Sequence, residues 1–100
     1  MKKLGLFLMF AATTAFAAEW TGYISETKCG AKHNDGSAAA VSCVKTCIKG
    51  GAKPVLVVDG KVVGIANPEK VMESMYGKKV TVTGEVADEK LTIETIAAAE

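Results

Sequence analysis

The chain has 100 residues, 49% of them hydrophobic, and its 12 basic and 11 acidic side chains leave a net charge of +1. A charge this balanced gives no reason to expect nucleic acid or an anionic membrane as a partner. The length leaves room for one small domain, without an internal repeat or an interdomain linker.

The first segment reads as an export signal. Lys2 and Lys3 precede an apolar run from Leu4 to Phe16, too short to span a bilayer, and Ala15-Phe16-Ala17 places small residues where a signal peptidase reads. Cleavage is expected after Ala17, with Ala18 as the neighbouring alternative. That gives a signal peptide over 1–17, a single domain over 18–100, and a periplasmic or extracellular location with no membrane attachment after cleavage. Loss of Lys2 and Lys3 leaves 10 basic against 11 acidic side chains, near a net −1. An oxidising compartment permits disulfides, but three cysteines cannot all pair within one molecule.

Trp20-Thr21-Gly22-Tyr23-Ile24-Ser25 is β-rich and predicts a first strand with Trp20 and Ile24 on one face. Lys28 to Ser37 carries Gly30, Asn34, Asp35 and Gly36 and reads as a loop. Ser37 then caps a helix over 38–49, closed by Gly50-Gly51. Ala40, Val41, Val44 and Ile48 form its apolar stripe, and Cys43 and Cys47 lie along the edge.

Pro54 to Val58 and Lys61 to Ile65 flank Asp59-Gly60, a hairpin signal in which the two central residues tolerate positive φ. Asn67-Pro68-Glu69 has the form of a helix start, with Val71, Met72 and Met75 on the buried side and Gly77 at the end. Lys79 to Val86 alternates, and a return strand from Leu91 to Ile96 follows the Asp88-Glu89 turn. The expected core holds Val80, Val82, Val86, Leu91 and Ile93, with 97–100 as a frayed end. The fold class is mainly β (α+β). The element order suits a five-stranded OB-like barrel, with the Cys-bearing helix inserted between strands one and two and a second helix between strands three and four. A generic α+β domain with a curved antiparallel sheet uses the same elements.

The chemistry is concentrated between Cys29 and Cys47, which hold between them every cysteine and the only histidine. Cys29-x₃-His33 on a loop, followed by Cys43-x₃-Cys47 on a helix, gives the Cys₃His donor set of a closed zinc site. Residues at i and i+4 share a helix face, so Cys43 and Cys47 can point at one ion; soft thiolates also suit Cu(I). The alternative is a staple joining Cys29 to Cys43 or Cys47, worth about 3 kcal/mol by loop entropy. A third reading is a periplasmic thiol-redox protein. No C-x₂-C redox motif, haem attachment motif, nucleophile elbow or phosphate loop occurs, so the sequence gives no enzyme and no catalytic residue. Nor does it name a protein or small-ligand partner.

Trp20-Thr21-Gly22-Tyr23-Ile24-Ser25, Cys29-Gly30-Ala31-Lys32-His33, Cys43-x₃-Cys47, Gly50-Gly51-Ala52 and Lys78-Lys79-Val80-Thr81-Val82-Thr83-Gly84 together carry a likeness. The chain resembles small exported bacterial proteins classed as domains of unknown function. The resemblance covers nearly all of residues 18–100. It implies an OB-like barrel and no particular reaction.

Overall fold

The computed structural model describes residues 18–32 and 35–99; the expected signal segment and His33 lie outside them. Five strands carry the architecture: β1 (Ala18–Glu26), β2 (Pro54–Val58), β3 (Lys61–Ile65), β4 (Lys79–Ala87) and β5 (Lys90–Ala98). One α-helix, α1 (Ala38–Lys49), lies between β1 and β2, preceded by a 3₁₀ turn over Gly30–Lys32. Among the described residues no helix is long and apolar enough to cross a membrane.

The strands close in a ring, β1-β2-β3-β5-β4 and back to β1. All pairings are antiparallel except β3 with β5, where Gly64 faces Lys90 and Ile65 faces Leu91. The strand from Lys79 does neighbour the return strand, as the hairpin reading requires. Inward residues from every strand meet in one cluster: Ile24, Leu56, Ile65, Val80, Val82, Leu91 and Ile93, joined by Val71. Each such burial is worth about 1.5–3 kcal/mol relative to exposure. Val55 and Val57 point the other way from Leu56 and are also buried, so β2 is covered on both faces.

The β2–β3 hairpin follows its sequence signal, with Asp59 at φ 51° and Gly60 at φ 80°, the two positive angles of a type I′ turn. Asp88 and Glu89 turn the β4–β5 hairpin in the same left-handed region, at φ 54° and 63°.

Three expectations need correction. The segment after Asn67 is not an α-helix: it forms 3₁₀ turns over Pro68–Lys70 and Glu73–Met75, with Val71 and Met72 extended between them. A helix this short is marginal by itself, and two tertiary anchors override it. One is Val71, buried in the core; the other is Asn67, whose amide accepts from Ile93 N at 2.8 Å and donates to Ile93 O at 2.9 Å instead of capping. Met72 is consequently exposed. Val86 is half exposed, because the β4–β5 ladder shifts register at Thr83/Gly84 and residues 85–90 run out past the core. The supposed frayed end is strand as far as Ala98, with Ala97 opposite Thr81 and Ala98 opposite Val80.

Two junctions position the helix. At its base, Glu26 pairs with Pro54, and Thr27 N donates to Lys53 O at 3.0 Å, so residues 28–52 leave and rejoin the ring at one point. Above it, the backbone of Gly77, at φ +78°, lies against Val41 of α1; a Cβ there would stand 2.5 Å from Val41 Cα. Gly77 N also donates to Ile24 O at 2.8 Å, tying this contact to β1.

Candidate metal centre

The helix forms as its sequence signals direct. Ser37 Oγ accepts from Ala40 N at 3.1 Å, and Gly50 N closes the last turn on Thr46 O and Cys47 O. Ala40 and Val44 are fully buried on the inner face. That orientation leaves Cys43 and Cys47, one turn apart, half-buried beside the core, on the side facing the turn after β1.

That turn carries Cys29. Ser25 and Glu26, the last residues of β1, are both fully buried. Ser25 Oγ donates to Gly30 O. The Glu26 carboxylate accepts from Lys28 N at 2.6 Å and from Cys29 N at 2.9 Å. A buried carboxylate is tolerated only with such partners, and here the partners are the backbone of the cysteine turn itself. Gly30, at φ +57°, starts the 3₁₀ turn that follows.

The three thiols converge. Cys29 Sγ lies 3.9 Å from Cys43 Sγ, and all three sulfurs lie within 4.8 Å of one another. A disulfide needs about 2.0 Å, so no pair is bonded and all three are free thiols. His33 belongs to the expected donor set but lies outside the described residues. Two shallow surface clefts, one beside Tyr23 and Lys79 and one along Val41, Ser42 and Lys45, contain none of the three cysteines.

The surroundings hold two of the thiols, Cys29 and Cys47, in the neutral form. The hydrogen bond from the Cys29 thiol to Glu26, then burial, then the Cys43 thiol push Cys29 up to about 12. Burial first, then the charge of Glu26 and the neighbouring Cys43, raises Cys47 as well. Such thiols are poor nucleophiles near neutral pH, because the thiolate is the reactive form. A metal ion can still displace their protons.

Glu26 is the residue the sequence reading passed over. The signal for it was present: in a period-2 strand Glu26 shares a face with Ile24, and an acid on an inward face requires a partner. The chain matches no protein-family model, no curated protein and no solved structure.

Proposed function

We propose that this protein is a small exported binding module in which Cys29, Cys43 and Cys47 hold a thiophilic metal ion, zinc or copper(I), with His33 as the fourth ligand. The observation that carries the reading is the spacing of the sulfurs. With Zn–S bonds of about 2.3 Å, the edge of a tetrahedron is about 3.8 Å. The Cys29–Cys43 separation of 3.9 Å is close to that edge. His33 is included because it follows Cys29 by four residues in the sequence. The scaffold is read as an OB-like barrel, supported by five strands in a ring and a non-strand segment between β3 and β4. Export rests on the basic start, the short apolar run and Ala15-x-Ala17.

The staple reading names one pair first: Cys29 and Cys43 are the sulfurs whose separation an oxidant would close, leaving Cys47 free. The thiol-redox reading is disfavoured by the raised thiols, since exchange chemistry needs a thiolate near neutral pH.

Elemental analysis and thiol titration of protein purified from its own compartment test the assignment. The metal reading expects one zinc or copper per chain and no reactive thiols until the ion is chelated. Replacing any one cysteine with serine is expected to weaken binding at least about a hundredfold, and His33→Ala by about tenfold or more. Metal-free protein with one reactive thiol would instead support the Cys29–Cys43 staple. Mass spectrometry expects an N-terminus at Ala18 or within a residue or two.

A further inference from the structure

We propose that Glu26 determines the ion specificity of this thiol centre: its buried carboxylate fixes Cys29 and adds a negative charge that favours a divalent cation such as Zn²⁺ over Cu⁺. The inference rests on the metal reading above and extends it to a residue that supplies no ligand atom.

The geometry gives Glu26 both roles. Its two oxygens are used on two successive backbone N–H groups, of Lys28 and Cys29, and this fork fixes the turn that aims Cys29 at α1. The side chain is fully buried, so its charge is weakly screened by water. The groups that hold it belong to the cysteine turn itself: two backbone N–H groups and the Cys29 thiol.

Charge counting gives the direction. Three thiolates around Zn²⁺ carry a net −1, and around Cu⁺ a net −2. A fixed carboxylate beside the centre penalises the second more than the first. The intrinsic order of soft-ligand affinities still places Cu⁺ ahead in absolute terms; what Glu26 alters is the gap between the two ions.

The test compares the full chain without its signal segment with its Glu26→Gln variant. Both are titrated anaerobically with Zn²⁺ and with Cu⁺ against chromophoric chelators, and circular dichroism monitors the fold. Glutamine keeps the length and one acceptor but loses the charge. The lost N–H bond weakens both ions alike, so the ratio of their affinities isolates the charge. The expected result is a shift of the Zn²⁺/Cu⁺ ratio by about tenfold towards copper. An unchanged ratio, with both affinities lowered together, overturns the specificity role and leaves the metal centre standing. A wild-type protein that binds neither ion overturns both readings.

Glu26→Asp provides a second arm should the glutamine variant not fold. It keeps the charge and shortens the reach by one methylene, so both affinities should fall while the ratio stays within about threefold of wild type. A ratio that collapses towards copper in this charge-retaining variant also overturns the proposal.

Discussion

Gly77 and Gly60 have nearly the same backbone angle, φ +78° and φ +80°, in different surroundings. An alanine Cβ at Gly60 meets nothing within 4 Å. At Gly77 it would stand 2.5 Å from Val41 Cα and 2.9 Å from Val41 N, both backbone atoms of a helix that cannot yield locally. Gly60→Ala should therefore cost only the left-handed penalty, about 1–2 kcal/mol. Gly77→Ala should add an overpacking term of about 1–3 kcal/mol, because α1 must move outward as a unit. The expected difference is about 2 kcal/mol, or about 8–16 °C in Tm for a domain of this size. Urea and thermal melts of the metal-free protein measure it. The same movement carries Cys43 and Cys47 away from Cys29, so Gly77→Ala should also weaken metal binding while Gly60→Ala does not. Equal destabilisation by the two substitutions would refute the claim that Gly77 seats the helix.

Asn67→Ala removes both hydrogen bonds to Ile93 and should cost about 1–3 kcal/mol in urea denaturation; a loss below about 0.3 kcal/mol would mean that water replaces them. Glu89→Gly, at φ 63°, should raise stability by about 0.5–1 kcal/mol, checked by Tm. The Cys29 thiol has a folded-state value of about 12 against an ordinary 9.0. Its share of the metal-free stability is therefore whole below about pH 9 and is lost as pH rises towards 12. Cys29→Ser should flatten that alkaline limb, and superimposable pH–stability curves would count against the Glu26 contact.

Local rules made much of the fold legible. Asp59-Gly60, the Ser37 cap and the alternation of Val80 and Val82 each act over a few residues, and each appears as written. What failed depended on partners far along the chain. Asn67 reads as a helix cap until Ile93, 26 residues later, takes its amide. Val86 reads as core because simple alternation carries through Gly84, where the ladder shifts register; the glycine was the local mark of that shift. The convergence of Cys29 with Cys43 was suggested by sequence proximity. Glu26 is not legible as part of the site from cysteine and histidine spacing, because its role is to hold the backbone of the turn.

The junction at Thr27 and Lys53 bears on how the cysteine-bearing segment can open. Because residues 28–52 depart from and rejoin the ring at one hydrogen-bonded pair, the segment can open as a hinged flap without any strand separating from its neighbour. What resists the opening is the bonding of Lys28, Cys29 and Gly30 to Glu26 and Ser25, together with the seat of α1: Ala40 and Val44 in their buried positions and Val41 against Gly77. Opening therefore draws on these local contacts and not on the stability of the whole domain. Exchange of the proposed metal ion is therefore expected to follow this sub-global motion, with amide protons of α1 exchanging ahead of those in β1 and β4.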